Sequence, residues 1–236
     1  MTAMLRWTPP VRGKHQRSVE IKEQMILHTR FLCVWVLRGP RTPEAVLRRR
    51  VAAAAKRLRK RGAVRVVLPE EFAFREQLGE LRPVSTLSLR QAMAADWARW
   101  SLIRRGVPAA GARVAVCADT LTGEVVRTVT ELSLRHRYVL LDLPYGGEEL
   151  CRSLRREYGV SLLLRPAPEE LAAADAALLF APRKTAPAAL PVYDESRPLP
   201  PLFLPPALEE QLPGGVNREQ LLSVLRERGQ QVTMGP

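Results

Sequence analysis

The stretch Ala112–Val126, A-R-V-A-V-C-A-D-T-L-T-G-E-V-V, constrains the fold more than any other part of the chain. An apolar strand over Val114–Cys117 breaks into a short polar turn, and that turn hands over to a helix starting near Thr122–Glu124. Buried strand, tight turn and helix make the first half of a nucleotide-binding βαβ unit. The fingerprint of such a unit places glycines at the first, third and sixth turn positions, here Ala118, Thr120 and Gly123. Only the last is glycine. The second fingerprint glycine lets backbone approach a pyrophosphate and the third packs the helix on the strand, so the phosphate position is lost and the packing position kept. Thr120, Thr122 and the amides of the helix start read as an ordinary capped turn or, alternatively, as a weak single-anion cradle, because helix N-termini favour negative charge.

The pattern around this pivot repeats. The segments Tyr138–Pro144, Val160–Pro166 and Ala176–Pro182 read as further apolar strands, each preceded by a helical stretch (122–134, 146–159, 168–173). Strands alternating with helices argue for a parallel sheet joined by right-handed crossovers. Upstream, Gln24–Leu37 reads as a strand that is apolar on both faces in its second half. Such a strand belongs inside a sheet covered on both sides. Thr42 is the expected N-cap of a helix over Pro43–Arg61, and Val64–Pro69 the strand that completes a βαβ unit. Glu70–Leu78 reads as a short helix, and Ser85–Arg105 as the longest helix of the chain, with an apolar stripe of Leu89, Ala92, Met93, Trp100 and Ile103. Asp96 lands in that stripe and requires an arginine or backbone partner, or else a raised pKa.

The expected fold class is therefore α/β: a Rossmann-like, mostly parallel sheet with helices on both faces, preceded by a small βαβ subdomain. The boundaries read as a flexible lead-in over 1–23, marked by Pro9–Pro10 and basic residues, the small subdomain over 24–84, and the Rossmann-like domain over 85–182. Residues 183–236 form a proline-rich arm, with nine prolines between Pro182 and Pro213 and a short final helix over Asn217–Arg228. Proline density of that order forbids long sheet or helix.

A long helix, a proline-containing turn, the V-x-V strand with its helix-opening turn, and the later A-D-A-A-L-L-F-A strand together resemble the nucleotide-binding domain of the shikimate dehydrogenase and glutamyl-tRNA reductase group. The resemblance covers residues 85–182 and is one of pattern. It implies a small βαβ domain before a Rossmann domain, and an acidic residue for the ribose hydroxyls of NAD at Asp142, which lies 19 residues past Gly123. Asp175 matches the A-D dipeptide before the group's later strand. The N-T-D-G segment carrying that group's catalytic aspartate is absent, so no catalytic residue is carried over.

The net charge is +13, and 32 of the 37 basic residues are arginine. A GC-rich codon bias alone produces that excess, and solvated faces absorb it. The functional reading is a polyanion surface on the helix over 43–61. There Leu47, Val51, Ala54, Ala55 and Leu58 share one third of the circumference, leaving Arg48, Arg49, Arg50, Lys56, Arg57, Arg59, Lys60 and Arg61 on the wet face, with Arg48, Arg49, Arg50, Lys56, Arg57 and Lys60 as the candidate contacts. His15, His28 and His136 are scattered, so no metal site is expected. Three widely spaced cysteines (Cys33, Cys117, Cys151) with no C-x-x-C suit a reducing compartment, and the chain is expected to be cytoplasmic, with no membrane segment. The expected function is a non-catalytic binding or scaffolding role, without a cofactor, through a protein or polyanionic partner and with oligomerisation open. The alternatives are an NAD(P)-dependent oxidoreductase with an atypical turn, using Ala118, Thr120, Thr122, Gly123 and Asp142, or a nucleic-acid-binding protein.

Overall fold

A computed structural model describes residues 1–11, 16–183 and 188–234. His15, named above among the scattered histidines, lies outside them. The chain divides into two compact units, Met1–Ser85 with Leu204–Val232 and Thr86–Phe203 with Thr233–Pro236.

The first unit opens with β1 (Thr2–Thr8), β2 (Val19–Ile26), β3 (Thr29–Leu37), α1 (Glu44–Lys60), β4 (Arg65–Val67) and β5 (Arg82–Pro83). Its sheet runs β2-β3-β1-β4-β5, parallel except where β2 meets β3. The flexible lead-in expected over 1–23 is thus corrected. β1 is the central strand, with Ala3, Met4 and Leu5 fully buried. Three consecutive buried apolar residues make a strand covered on both faces, and the proline pair marks only where it stops. The single strand expected over Gln24–Leu37 is instead the β2–β3 hairpin. Its turn residues Leu27 and His28 have φ of 45° and 61°, the left-handed pair that a two-residue hairpin turn demands. No glycine announces it.

α1 packs Leu47, Val51, Ala54, Ala55 and Leu58 onto Ala3, Leu5, Val34 and Val36, the face its periodicity marks. Its N-cap is Pro43, not Thr42. The Thr42 hydroxyl turns back to accept from the Gly39 amide at 2.8 Å. The helix expected over Glu70–Leu78 shrinks to one 3-10 turn at Arg75–Leu78.

The second unit begins with α2 (Leu87–Ala92) and α3 (Ala94–Arg104), which replace the single helix expected over Ser85–Arg105. The break lies at Met93, with φ −96° and ψ 6°. It rotates the stripe: Leu89, Met93, Trp97, Ala98 and Leu102 are buried, whereas Ile103 is 57% exposed. Asp96 is paired with Arg99 at 3.0 Å. Next come β6 (Arg113–Cys117), α4 (Gly123–Ser133), β7 (Tyr138–Asp142), α5 (Gly147–Tyr158), β8 (Leu163–Leu164), α6 (Pro168–Ala172), β9 (Ala176–Leu179) and β10 (Ala189–Pro191). The sheet is parallel throughout, in the order β10-β9-β6-β7-β8.

β10 lies within the proline-rich arm, where no strand was expected. Its proline sits on an edge strand, where the missing N–H costs little. The chain moves from β6 outward to β7 and β8, then returns to β9 on the other side of β6. That return puts α6 opposite the outward helices. Leu171 and Ala174 pack with Ala115, Cys117, Leu140 and Leu179 on one face, while the start of α5 sits against Leu141 on the other. Helices thus cover both faces of a Rossmann-like sheet.

In the first unit the returning chain forms α7 (Pro206–Glu209) and α8 (Arg218–Glu227). The Asn217 side chain caps α8 by accepting from the Gln220 amide at 3.0 Å, and Leu221, Leu222 and Leu225 are buried. No helix among the described residues is long and apolar enough to cross a membrane.

Candidate functional site

Strand order decides where a ligand would bind in such a sheet. The connection from β6 runs to β7 on one side, while the chain returning from β8 enters β9 on the other, so the crevice opens outside the carboxyl ends of β6 and β9. Three of the fingerprint positions lie there, in the turn between β6 and α4, and Asp142 ends β7 beside Cys117, its registered partner on β6.

The crevice is filled from within. After β9 the chain passes through Phe180, whose amide donates to the Cys117 carbonyl at 2.8 Å, and reaches Arg183. The Arg183 guanidinium then extends across the end of β6. Its Nε donates to Asp142 Oδ2 at 3.0 Å, Nη1 to Asp119 Oδ1 at 2.7 Å, and Nη2 to the Ala118 carbonyl at 3.0 Å. Two strand spacings, about 9.5 Å, separate β9 from β7, a gap that the long arginine side chain helps to bridge. The hydrogen bond to Asp119, and after it that to Asp142, holds the guanidinium charged more firmly than usual. The carboxylate assigned to ribose hydroxyls is therefore engaged by the protein itself.

The rest of the turn is equally committed. The Ala118 amide donates to the Asp142 carbonyl at 3.0 Å, and the Thr122 amide to the Thr120 carbonyl at 3.1 Å. The Thr122 hydroxyl caps α4 by accepting from the Val125 amide at 3.3 Å. Thr120 is exposed. Gly123 is the first residue of α4, and a Cβ built on it would meet nothing within 4 Å. Its expected role in packing helix against strand is thereby corrected: the contact that needs glycine in this fold is not made here. With two carboxylates against one guanidinium, and Glu124 in the first turn of α4, the neighbourhood does not favour a pyrophosphate.

Cys117 lies beneath this cluster. Burial, reinforced by the Asp142 charge, pushes its thiol up to about 12, with Arg183 opposing. It is an apolar floor, not a nucleophile. Among the described residues no three His, Cys, Asp or Glu side chains are grouped to hold a metal ion. His136 is buried, with Nδ1 3.1 Å from the Ala109 carbonyl oxygen. Asp175, matched to the A-D dipeptide, accepts from the Arg113 amide at 2.8 Å at the far end of the sheet, away from the crevice.

The six cations singled out on α1 divide by what they touch. Arg48 pairs with Glu44 at 2.7 Å, Arg50 donates to the Leu37 carbonyl, and Arg57 donates to the Val19 carbonyl. Arg49, Lys56 and Lys60 reach no partner among the described residues. At about 100° per residue these three fall within about 40° of one another.

Sequence reasoning missed two arginines. Arg183 opened the arm only as a compositional boundary. Arg90 was passed over inside a helix, yet it is fully buried, donating to the Thr86 hydroxyl at 3.1 Å and to the Arg197 carbonyl. Trp97 lies beside it, with its ring centroid 5.9 Å away. A basic residue directly after the last core strand, facing two acids at neighbouring strand ends, was the available signal for Arg183.

No protein-family model matches the chain, and no curated protein matches it significantly.

Proposed function

We propose that this protein is a non-catalytic binding or scaffolding protein built on a Rossmann-like sheet, cytoplasmic, and independent of NAD or NADP. The observation that carries this reading is the three-way hold of Arg183 on Asp142, Asp119 and the Ala118 carbonyl. It spends the ribose carboxylate and occupies the crevice in which a dinucleotide would lie. An NAD(P)-dependent oxidoreductase would need Arg183 to swing out and leave two acids facing a pyrophosphate. The three cysteines are unpaired, which fits a reducing cytoplasm. Titration of the full chain with NADH and NADPH, read by nicotinamide fluorescence, is expected to show no saturable enhancement. Saturable enhancement with either would favour the oxidoreductase.

The aligned Arg49, Lys56 and Lys60 favour an acidic macromolecule as partner. Binding through this stripe would weaken steeply with salt.

A further inference from the structure

The opposite, amino-terminal end of the second unit's sheet holds a cavity of about 310 Å³ lined by Arg113, Arg137, Tyr138, Leu140, Leu163 and Glu170. Its origin is topological. The face carrying Ala115, Cys117 and Leu140 packs against Leu171 and Ala174, on and just after α6, a helix of five residues over a five-stranded sheet. Arg113 registers with Tyr138, and Leu140 with Leu163. Alternation along the strands puts these four on that same face. Tyr138 and Leu163 remain 44% and 46% exposed, over a Leu140 that is buried.

The charges around this apolar floor are unbalanced. The Arg137 guanidinium lies over the Tyr138 ring at 5.5 Å, which steadies it without using its N–H donors. Neither it nor the Arg113 guanidinium has a hydrogen-bond or ion-pair partner among the described residues. The nearby carboxylates are turned to main-chain amides: Glu170 accepts from Ala167 and Asp175 from Arg113, both at 2.8 Å.

We propose that this cavity binds a small amphipathic carboxylate, its carboxylate gripped by Arg113 and Arg137 and its apolar body lying on Tyr138, Leu140 and Leu163. Guanidinium groups match a planar carboxylate bidentately. The volume stands at the lower end of the roughly 300–1,000 Å³ of ligand pockets, which limits the ligand to the scale of benzoate or hexanoate. The site goes beyond the reading of the crevice and does not depend on it, since Arg183 lies at the other end of the sheet.

The test is calorimetric titration of the full chain with benzoate, hexanoate, benzyl alcohol and inorganic phosphate. Saturable binding of both carboxylates, at least tenfold tighter than that of phosphate or the alcohol, is expected. The double variant Arg113→Met with Arg137→Met is expected to weaken it at least tenfold while the circular dichroism spectrum is unchanged; Arg49→Met, on α1, leaves it intact. Should the double variant fail to fold, Leu163→Glu on the exposed floor is expected to weaken binding equally. The proposal is overturned by phosphate binding as tightly as benzoate, by no saturable binding of either carboxylate, or by binding that survives these variants.

Discussion

Arg183 Nε stands 3.0 Å from Asp142 Oδ2, and this contact fastens the segment after β9 to the end of β7 across the end of β6. It joins residues 41 positions apart. Both side chains are about 30% exposed, so the pair is shielded more than an ordinary surface ion pair, and the Ala118 carbonyl takes a further donor. The contact to Asp119 is the foremost influence on the guanidinium's charge, but that carboxylate is 66% exposed, so solvent screens its contribution to stability more.

Loss of this clamp has a measurable cost. Charge-assisted hydrogen bonds of this kind contribute about 1–2 kcal/mol once solvent screening is allowed for. Arg183→Met is therefore expected to lower Tm by roughly 2–8 °C for a chain of this size. Asp119→Asn is expected to change it far less, because that carboxylate keeps water when released. Scanning calorimetry of the two variants checks the order.

Thiol chemistry reads the same region. Burial raises Cys33 to about 11, and burial with Asp142 raises Cys117 to about 12. Native protein at pH 8 is expected to react at the part-exposed Cys151 alone, with two further thiols appearing on unfolding. A thiol raised above its ordinary 9.0 contributes stability that is fully present below that value and lost as pH climbs toward the folded one. Tm is thus expected to decline above about pH 9, and less so in Cys117→Ala. Iodoacetamide mapping by mass spectrometry and alkaline thermal melts test both statements.

At low pH the sign reverses. The Arg218 hydrogen bond, and after it the Leu204 amide, hold Glu209 below the ordinary carboxylate range. Its contribution is present above the unfolded value near 4.5 and disappears as pH falls through the lower folded value. Thermal melts below about pH 4.5 should lose stability with a shallower slope in Glu209→Gln than in the parent chain. Equal slopes would remove Glu209 from the acid response.

The pattern-bearing parts of the fold were legible, and their limits are physical. β6, β7 and β9 are parallel strands buried on both faces, so they read as continuous apolar runs, and α1 announced its buried face by period. β1 was hidden because Arg6 and Trp7 interrupt its run and Pro9–Pro10 follow it. The break at Met93 carries neither glycine nor proline, so nothing local marks it. At the site, the turn and Asp142 were visible as positions, but Arg183 was not assigned a role. An ion pair made across three strand ends has no spacing rule, and Gly123 shows the converse: a residue may match a motif without serving its purpose.

On α1, charge reversal separates surface from structure. Arg49→Glu, Lys56→Glu and Lys60→Glu are each expected to leave the unfolding free energy within about 0.5 kcal/mol of the parent, as surface changes do. Arg50→Glu and Arg57→Glu remove donors to the Leu37 and Val19 carbonyls and are expected to lower it by about 1 kcal/mol or more. Chemical denaturation resolves differences of this size.

The most direct test of the filled crevice is thermal unfolding of the full chain against NAD, NADP and their reduced forms. A ligand held at about a hundred times its dissociation constant adds roughly 2.7 kcal/mol, several degrees for a chain this size. With Arg183 already on Asp142 and Asp119, no shift is expected with any of the four. A shift of several degrees that vanishes in Thr120→Arg would contradict the account, because it would mean that the turn still holds a dinucleotide.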